Sequence, residues 1–555
     1  MQYTELIQEI KERKPDKKLL TKLKLDFVRK YNTRFPKDAE ILFSSSIEDY
    51  NELKKILLVK PTRTISGVAP ISLFAKPAKC SHGTCLFCPG GLNSVFGDVP
   101  QSYTGNEPAT RRAIRNLYDP YLQIMNRLEQ YIVNNHDPEK VEIIIQGGTF
   151  LFFDDEYKKE FITYIYKAMN DFSEIFYNNE FDFIKFKEFF ELPSPVKDEE
   201  RVKRIHKKLL AIKGTSDLDY EKKKNENSKI RCVSLLIETK PDYGKLKHGN
   251  EMLDYGVTKV EVGVQTVYDD VLKYTNRGHT LQDSIESIRI LKDLGFKINY
   301  HMMLGLPNVT REMDLNAFKE IFSNNDFKPD MLKIYPCLVM RGTGLYGLWK
   351  LGKYKEINTE EAAEIISEAK RFIPRYCRID RIQRDIPTHI TSAGVDRTNL
   401  RQYVEIKLKE KGIKCNCIRC REIKNNKIKG NLDFEIVEYE ASKGKEFFIS
   451  LKDENDYLIG FARLRFPGQF LREEITSNSA LLRELHVYGK ALPIGFHLGN
   501  VQHKGYGKML MEKAEEICRN NNKDKLLVIS GIGVKKYYID KLNYRYDGVY
   551  VSKGL

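Results

Sequence analysis

The chain has 555 residues, which is too long for one hydrophobic core, so two or three domains are expected. Hydrophobic residues make up 41% and charged residues 30% of it, as in globular proteins, and no apolar run approaches the about 20 residues that span a membrane. The net charge of +15 is compatible with a polyanionic partner, of which nucleic acid is the first candidate.

The ten cysteines fall in clusters, and the N-terminus lacks the apolar core of a signal peptide. Clustered cysteines suit metal sites in a reducing compartment better than they suit a disulfide framework. We therefore expect a cytoplasmic protein without a membrane partner.

Residues 1–60 are predicted to form short basic helices. Lysines and arginines are concentrated at 11–24 and again at 201–213. A solvated helix face explains either cluster alone about as well as phosphate contact does. Together with the net charge, the two clusters favour RNA or DNA contact, although they indicate no sequence preference.

Short apolar runs alternate with helical patterns through the first two thirds of the chain. An apolar stretch at 63–76 is followed by similar runs at 141–145, 232–238, 259–265, 297–304 and 331–335. A helical pattern lies between several of them, as at 281–294, which ends at Gly295. This alternation predicts an α/β fold with a parallel sheet, as a partial or full barrel. Functional residues are then expected at the carboxyl ends of the strands.

Three cysteines follow the first predicted strand, with the spacing C-x4-C-x2-C. Cys80, Cys85 and Cys88 can hold three irons of a 4Fe–4S cluster and leave the fourth iron open for S-adenosylmethionine. A zinc site completed by His82 is an alternative. A ferredoxin-like cluster is less favoured, because it needs a fourth cysteine and the next one is Cys232.

Polar residues also follow two later strands. Gln146, Gly147 and Gly148 come after one strand, and Glu238 and Lys240 end another. Paired glycines let backbone approach a ligand, and charged groups at strand ends suit ligand contact. A structural turn and hydrogen bonds at the barrel rim explain them about equally well.

A second domain is predicted from about residue 431, with short strands followed by a helix at 505–519. Gln502, Gly505 and Gly507 fit the pattern Q-x-x-G-x-G at the helix start, which suits a pyrophosphate. The order of strands and helix resembles the GNAT acetyltransferase fold, in which this turn holds acetyl-CoA. Tyr537 and Tyr538 match the place where a tyrosine can protonate a leaving thiolate, but two core aromatic residues are at least as good an explanation.

Two further segments have distinct compositions. Residues 171–229 are charged and resemble a partly flexible insertion. Cys415, Cys417 and Cys420 form a C-x-C-x2-C half-site, most simply for structural zinc, with Cys377 or His389 as the fourth ligand.

Taken in order, these motifs resemble the catalytic subunit of the Elongator complex and its stand-alone archaeal and bacterial relatives. The match runs over residues 60–555 through CSHGTCLFCPGG, KVEIIIQGGTF, IETKPDY, VEVGVQTVYDDVLKYTNRGHT, CNCIRCRE, RELHVYG, QHKGYG and VISGIGVKKYY. Residues 1–60 resemble the family's RNA-binding arm less sharply. The resemblance implies a radical S-adenosylmethionine (radical SAM) partial (β/α) barrel joined to a GNAT-like α+β domain.

The implied domains are a tRNA-binding arm (1–60), a radical SAM domain (61–374), a zinc-binding linker (375–430) and a GNAT-like domain (431–555). The implied reaction gives the wobble uridine of a tRNA anticodon stem-loop a carboxymethyl group at C5, with acetyl-CoA as the carbon source. A radical from S-adenosylmethionine would take hydrogen from the acetyl methyl group, and the resulting carbon radical would add to uridine.

Family residues carry over onto matching positions of this sequence. The resemblance implies that Cys80, Cys85 and Cys88 hold the cluster and that Lys140 reaches CoA from the radical SAM domain. It also implies that acetyl-CoA is bound by Glu484, Leu485, His486, Val487, Tyr506, Gly507, Lys508 and Tyr538. Candidate catalytic residues are Tyr538, Tyr537 and Lys240. We expect the two cofactor domains to share an interface cleft.

A protein lysine N-acetyltransferase with a structural iron–sulfur domain remains the alternative function. It predicts an open peptide groove and leaves the basic arm without a role. A degenerate RNA-binding scaffold is a third hypothesis, against which the intact cysteine triad argues. The sequence leaves open whether the chain acts alone, as a homodimer or with Elongator-like accessory subunits.

Overall fold

The computed structural model describes residues 3–59, 67–194, 198–424, 426–488 and 505–555. The helices are α1 (Thr4–Arg13), α2 (Lys17–Tyr31), α3 (Asp38–Phe43), α4 (Ile47–Ile56), α5 (Pro108–Arg115), α6 (Pro120–Val133), α7 (Asp155–Phe176), α8 (Phe183–Phe189), α9 (Glu199–Lys213), α10 (Leu218–Asn225), α11 (Leu246–Asp254), α12 (Asp269–Tyr274), α13 (Leu281–Asp293), α14 (Arg311–Ser323), α15 (Gly344–Lys350), α16 (Thr359–Ala369), α17 (Leu400–Glu410), α18 (Ile418–Arg421), α19 (Tyr506–Asn520) and α20 (Lys535–Leu542). Within these ranges, no helix combines the length and apolar character needed to cross a membrane.

The strands are β1 (Ala69–Phe74), β2 (Gly91–Ser94), β3 (Gly97–Val99), β4 (Lys140–Gln146), β5 (Tyr177–Asn178), β6 (Glu180–Phe181), β7 (Arg231–Thr239), β8 (Lys259–Gln265), β9 (Lys297–Leu304), β10 (Met331–Pro336), β11 (Arg378–Arg381), β12 (Asp433–Ala441), β13 (Gly444–Lys452), β14 (Leu458–Phe466), β15 (Ser479–Val487), β16 (Lys525–Val528), β17 (Arg545–Asp547) and β18 (Tyr550–Gly554). Most of them belong to two seven-stranded sheets, one in each half of the chain.

The first sheet has the order β1–β4–β7–β8–β9–β10–β11, and all its neighbouring strands are parallel. It curls into a half-barrel with helices on its outer face, as the alternation of strands and helices predicts. Residues 69–74 of the run predicted at 63–76 form β1, and residues 63–66 lie outside the described residues. The runs predicted at 141–145, 232–238, 259–265, 297–304 and 331–335 correspond to β4, β7, β8, β9 and β10. We call this sheet and its helices the barrel domain.

Alternate strand residues face the inside of the half-barrel, which we call the barrel lumen. Outward residues such as Ile143, Ile145 and Ile298 are fully buried in the main hydrophobic core. The inward residues contact one another across the curved sheet and include Glu142, Gln146, Glu238, Lys259, Glu261, Lys297, Asn299, His301, Met303, Lys333 and Tyr335. The lumen is therefore polar, whereas the layer under the helices is apolar.

The segment 171–229 is largely helical rather than flexible as expected. It contains the end of α7, the β5–β6 hairpin and helices α8, α9 and α10. The Phe183 ring packs against Phe43 and Tyr50 of the N-terminal helices, with ring centroids 5.4 and 4.1 Å apart. At the α10 end of this segment, Asn170 of α7 donates a 2.6 Å hydrogen bond to Glu221. The charged composition reflects the outer faces of these helices, and buried aromatic side chains attach them to the barrel domain.

The second sheet has the order β12–β13–β14–β15–β16–β18–β17, and we call it with α19 and α20 the C-terminal domain. Strands β15 and β16 are parallel and pair only from Ser479 to Leu482, whereas β15 continues to Val487. The two strands therefore separate beyond Leu482. Helix α19 packs on the sheet, and Leu510 and Met511 are buried between them.

The C-terminal domain docks on the amino ends of the barrel strands. Glu484 pairs with Lys297 at the start of β9. A Cβ at Gly531 would lie 2.1 Å from the carbonyl oxygen of Val233, near the start of β7, so glycine is required for this close approach. The cysteine-bearing loop follows β1 at the opposite, carboxyl ends of the strands.

A chain of buried charges joins the two domains. Asp330, just before β10, pairs with Arg483 at 2.6 Å and with Arg463 at 3.6 Å. Asp293 pairs with Arg465 at 2.6 Å, and Glu446 bridges Arg465 and Arg483 at 2.9 Å each. All six side chains are at most 1% exposed. Such pairs tolerate the loss of one partner poorly, because the other charge is left without compensation.

Candidate active site in the barrel lumen

The loop after β1 holds Cys80, Cys85 and Cys88 at the carboxyl end of the barrel. Cys85 and Cys88 are each 6% exposed. The Arg277 guanidinium lies 3.4 Å from the Cys85 Sγ, and the Ser102 backbone N–H donates to the Cys88 Sγ over 3.1 Å. These contacts hold two of the three sulfur atoms in position.

The donor set suits a cluster better than a single ion. Among the described residues, two groups of His, Cys, Asp and Glu ligand atoms lie within 4.8 Å of one another, and the three loop cysteines are not one of them. An iron–sulfur cube is larger than one ion and needs its thiolates further apart. Burial raises the pKa of Cys80 to about 12 and also raises that of Cys88, so bound iron would be needed to hold both as thiolates. The loop therefore fits the cluster that its spacing predicts.

The strand-end residues lie beside this loop. Gln146 donates a 2.9 Å hydrogen bond to Glu238, and the Tyr103 hydroxyl donates to the same carboxylate over 3.2 Å. Gly147 and Gly148 have φ of 105° and 75°, and a Cβ at Gly147 would lie 3.0 Å from Pro100. The structure thus brings the predicted residues of two strands together, and the glycines are also required by the turn itself.

Lys240, the candidate catalytic lysine, contacts the cysteine loop. Its ammonium lies 3.0 Å from His82 Nδ1 and 3.1 Å from the Asp242 carboxylate, and its side chain is 7% exposed. The other ring nitrogen of His82 is 3.2 Å from the Cys85 Sγ. In this arrangement Lys240 supports the loop through His82.

A network in the middle of the lumen was not predicted from the sequence. Glu261 accepts hydrogen bonds from Asn299 at 3.0 Å and from His301 Nε2 at 2.8 Å, and it pairs with Lys333. Lys333 also lies 3.9 Å from Glu238, which links the network to the strand-end residues. A usable signal was present, because these charged residues occupy alternate positions of strands whose other positions are apolar.

At the other end of the lumen, β15, α19 and α20 converge. A Cβ at Gly507 would lie 3.0 Å from the Tyr537 hydroxyl and 3.9 Å from a Val487 methyl group. Gly505 caps α19 with φ of 83° and has open space around it. These residues meet where β15 and β16 separate, so the exposed N–H groups at the start of α19 face a notch that suits an anion. Gln502 lies outside the described residues.

The two adjacent tyrosines differ in environment. Tyr538 is 6% exposed and packs against Tyr544 in the core of the C-terminal domain, with ring centroids 5.9 Å apart. Tyr537 is 37% exposed, and its hydroxyl faces Gly507. The geometry favours Tyr537 over Tyr538 as the tyrosine that reaches a ligand in the notch.

Charges on β15 face the barrel. Burial opposes the ionisation of Glu484, but the nearby Lys297 and Arg463 charges outweigh it and lower its pKa to about 2. Burial lowers the pKa of His486 to about 4, so this imidazole is neutral at pH 7. Leu485 packs with the core of the C-terminal domain, and Lys508 pairs at the surface with Glu512 at 3.7 Å.

The low pKa of Glu484 predicts a pH-dependent contribution to stability. Its folded pKa of about 2 lies below the ordinary value of 4.5, so the stabilisation is complete above about pH 5 and is lost as pH falls towards 2. Glu484→Gln should therefore lower the midpoint of thermal unfolding at pH 7 and lower it progressively less between pH 5 and pH 3. A deficit that does not change over this pH range would contradict the assigned ion pair.

Lys140 begins β4 at the amino end of the lumen, paired with Arg231 of β7. Burial, together with the Arg231 charge, lowers its pKa. The C-terminal domain is close at this point, since a Cβ at Gly533 would lie 2.5 Å from the Cβ of Arg231. Lys140 is thus on the side of the barrel that faces the C-terminal domain.

The two domains share an extensive interface. This interface does not form the expected cleft common to both cofactor sites. The cysteine loop and the notch at α19 lie at opposite ends of the barrel strands. The inward face of β9 connects them, from Lys297 beside Glu484, through Asn299 and His301, to Met303, which packs with Cys85. The polar lumen therefore lies between the two sites.

Cys415, Cys417 and Cys420 form the other cysteine cluster, at α18. Their Sγ atoms lie within 4.8 Å of one another. In the described part of the chain no fourth His, Cys, Asp or Glu ligand atom joins them at that distance, so neither Cys377 nor His389 completes the group. The backbone N–H of Ile418 donates to the Cys377 carbonyl over 3.0 Å, which makes the nearby Cys377 a structural neighbour.

Four family models match consecutive parts of the chain. They are the ELP3 N-terminal domain (2–65), the radical SAM superfamily (77–321), the radical SAM C-terminal domain (329–410) and the acetyltransferase (GNAT) family (421–538). Two proteins named tRNA uridine(34) acetyltransferase are 45% identical (Methanocaldococcus jannaschii) and 44% identical (Methanocaldococcus infernus) to it. The alignments cover 97% and 99% of this chain and 94% and 98% of the relatives.

The chain belongs to the Elongator protein 3 family. Elongator complex protein 3 of Schizosaccharomyces pombe is 39% identical over 97% of this chain and 94% of its own length. The solved structure of Methanocaldococcus infernus Elp3, which lacks its N-terminus, is 38% identical and superposes with a TM-score of 0.72. It covers 89% of this chain and 100% of that one.

Membership of the Elongator protein 3 family identifies the two halves of the molecule. The barrel domain is a radical SAM half-barrel, and the C-terminal domain is a GNAT acetyltransferase domain, as the resemblance implied. The radical SAM half-barrel implies a 4Fe–4S cluster and S-adenosylmethionine, and the GNAT domain implies acetyl-CoA. The chain is therefore an enzyme with an acyltransferase domain and a radical SAM domain.

Proposed function

We propose that this protein attaches a carboxymethyl group to C5 of the wobble uridine of tRNA, using acetyl-CoA and S-adenosylmethionine. The observation that carries this proposal is the polar lumen, which joins the cysteine loop at one end to the notch at α19 at the other. One acetyl group can then be held by the GNAT domain and activated by the radical SAM domain. Near-full-length relatives named for an activity on tRNA uridine support the choice of substrate.

Cys80, Cys85 and Cys88 would hold three irons of the cluster, and Gln146–Gly148 and Glu238 would bind S-adenosylmethionine. When bound, these groups supply a carbon radical that removes a hydrogen atom from the acetyl methyl group. Arg277 and the Ser102 N–H hold two of the cysteine sulfurs in place.

The notch of the C-terminal domain would bind acetyl-CoA. The N–H groups of Tyr506, Gly507 and Lys508 at the start of α19 would hold the pyrophosphate. Val487 and Tyr537 would contact the thioester arm. Lys140 and the β15 residues Glu484 and His486 would line the path of this arm into the lumen. Gln502 remains a candidate from the sequence alone.

The basic N-terminal helices would bind the tRNA. Lys14, just after α1, and Lys18 and Lys22 on α2 are exposed, and phosphate contact through such side chains is sensitive to salt but not to sequence. We expect tRNA binding to occur in the cytoplasm and to weaken as salt is raised. The proposed reaction joins the acetyl methyl carbon to uridine C5 in place of the C5 hydrogen, which would leave as a proton while one electron would return to the oxidised cluster. Hydrolysis of the thioester then leaves the carboxymethyl group.

We also propose that Cys415, Cys417 and Cys420 hold one zinc ion as a structural site. Cys417→Ser should then reduce the zinc content from about one ion per chain to near zero, since a structural site needs its thiolates. Elemental analysis of purified protein measures this, with Cys518→Ser as the matched control. Unchanged zinc content in the Cys417 variant would assign the metal elsewhere.

The proposed function is tested by anaerobic reconstitution with iron and sulfide, followed by reductant, S-adenosylmethionine, acetyl-CoA and unmodified tRNA. Mass spectrometry of the digested nucleosides should show 5-carboxymethyluridine, and none when S-adenosylmethionine is omitted. Acetyl groups on protein lysines, without any gain on uridine, would instead support the lysine N-acetyltransferase.

A further inference from the structure

His301 occupies the middle of the lumen, between the two cofactor ends. On the inward face of β9 it lies four residues from Lys297, which contacts the C-terminal domain, and two residues from Met303, which packs with Cys85. At about 3.3 Å per residue these separations are roughly 13 and 7 Å. The thioester carbon is one bond from the methyl carbon, so an acetyl group that reaches the radical site through the lumen would have its thioester on the side of that site that faces His301.

The contacts of His301 fix the orientation of its imidazole ring. Nε2 lies 2.8 Å from Glu261, whose side chain is only 1% exposed, whereas His301 is 13% exposed. Burial opposes ionisation of Glu261, but Lys333 and His301 hold its pKa well below the ordinary value. In the neutral tautomer whose Nε2–H donates to Glu261, Nδ1 carries the free lone pair. A carboxylate that fixes an imidazole in this way is the arrangement found in catalytic triads.

The carboxylates and imidazole of this network do not argue for a metal ion. Glu238, Glu261 and His301 have ligand atoms within 4.8 Å of one another. The Lys333 ammonium already pairs with Glu261 and lies 3.9 Å from Glu238. Because the lysine supplies the positive charge between the two carboxylates, a cation would have to displace it.

Other groups in the lumen are poor bases at neutral pH. Lys333 is held protonated by Glu261, since the carboxylate raises its pKa despite burial. Burial raises the pKa of Tyr335 to about 12, so it stays a neutral phenol. Although burial opposes it, the charges of Lys259 and Lys333 lower the pKa of Asp380, which makes it a weaker base. Imidazole is the side chain best matched to proton transfer near pH 7, and His301 is the histidine among the described inward residues of the barrel strands.

We infer that His301, oriented by Glu261, is the general base that activates water to hydrolyse the thioester after the carbon–carbon bond has formed. The inference rests on the proposed function. The water oxygen bonds to the thioester carbonyl carbon, the carbon–sulfur bond breaks, and CoA leaves as a thiol. His301 accepts a proton from water and passes it to the sulfur, and the new carboxylic acid ionises. The step needs no oxidant or reductant.

The test is an anaerobic single-turnover reaction with His301→Gln, with His248→Gln as the control because that half-buried histidine lies on α11, outside the lumen. We measure 5′-deoxyadenosine, 5-carboxymethyluridine and the uridine that still carries a CoA thioester, trapped by hydroxylamine as a hydroxamate. In the His301 variant we expect 5′-deoxyadenosine at the control level and carboxymethyluridine formed about 100-fold more slowly. The uridine hydroxamate should accumulate.

Several results would overturn the assignment. Carboxymethyluridine formed at the control rate would show that His301 is not the base, and loss of 5′-deoxyadenosine would show that it acts before hydrolysis. His301→Ala with added imidazole gives a second readout, since imidazole should restore hydrolysis without changing 5′-deoxyadenosine formation. Failure of the wild-type enzyme to modify uridine at all would reject the proposed function itself, which is a distinguishable outcome.

Discussion

Cys85→Ala is expected to abolish both 5′-deoxyadenosine formation and uridine modification. Cys85 is one of three thiols on the loop, and the Arg277 guanidinium lies 3.4 Å from its sulfur. Removal of this thiolate leaves two protein ligands for a cluster that needs three. We therefore expect the iron and sulfide bound per chain to fall to near background, and the rate of S-adenosylmethionine cleavage to fall below detection.

The matched control is Cys232→Ala, which removes a buried cysteine on β7 of the same domain without touching the loop. It should retain iron, sulfide and S-adenosylmethionine cleavage. Acetyl-CoA binding, measured by calorimetry, should be unchanged in the Cys85 variant because the GNAT notch is at the other end of the barrel. Modification of uridine by the Cys85 variant would contradict the role assigned to the loop.

Asp330→Ala is expected to destabilise the junction of the two domains by about 3–5 kcal/mol, because it leaves buried charges without a partner. Asp330 is fully buried, and it pairs with Arg483 at 2.6 Å and with Arg463 at 3.6 Å. Both arginines are at most 1% exposed and would keep their charge without this carboxylate. Urea denaturation measures the loss, and limited proteolysis should show faster cleavage between the domains.

Asp385→Ala is the control, since Asp385 is 62% exposed and pairs at the surface with Arg381. Surface ion pairs typically contribute no more than about 1 kcal/mol, so this variant should unfold like the wild type. Equal destabilisation by the two substitutions would mean that burial of the Asp330 pair does not determine its effect.

Local patterns were sufficient to predict the barrel domain. The runs at 141–145 and 259–265 became β4 and β8, because both are rich in the β-branched residues Val and Ile that favour strands. The cysteine loop and the strand-end residues could be located for the same reason. The carboxyl ends of parallel strands lie at one edge, so separate motifs were bound to meet there.

Contacts between distant segments could not be predicted in the same way. Glu261, His301 and Lys333 lie on three strands, and no local pattern indicates which charged residues will pair across a curved sheet. The end of the barrel on which the C-terminal domain docks could not be predicted either. It depends on pairs such as Asp330 with Arg483, which are separated by 153 positions. A charged composition at 171–229 suggested flexibility, whereas Phe183 and its neighbours form a buried aromatic cluster.

The two tyrosines show the limit of motif matching within one turn of helix. Tyr537 and Tyr538 both fit the expected position, and the resemblance assigned the contact with acetyl-CoA to Tyr538, whereas the geometry favours Tyr537. Because adjacent residues on a helix are about 100° apart, one side chain points into the core when the other faces the notch. The packing of Tyr538 against Tyr544 shows that Tyr538 is the one that points into the core.

The positions of the two cofactor sites, at opposite ends of the barrel, constrain the mechanism. In the proposed reaction the acetyl group would be bound by the GNAT domain at the amino ends of the strands, whereas the radical would arise at the carboxyl ends. If one reaction uses both, the acetyl methyl group must reach the radical site by way of the lumen. Residues along the inward face of β9, from Lys297 to Met303, would then border its path.

The most direct test of this central claim uses acetyl-CoA with three deuterium atoms on the acetyl methyl group. In an anaerobic reaction with tRNA, we predict that deuterium appears in 5′-deoxyadenosine and that the carboxymethyl group on uridine keeps two deuterium atoms. Unlabelled 5′-deoxyadenosine accompanied by carboxymethyluridine would contradict the claim, since the radical would then have taken its hydrogen from another source.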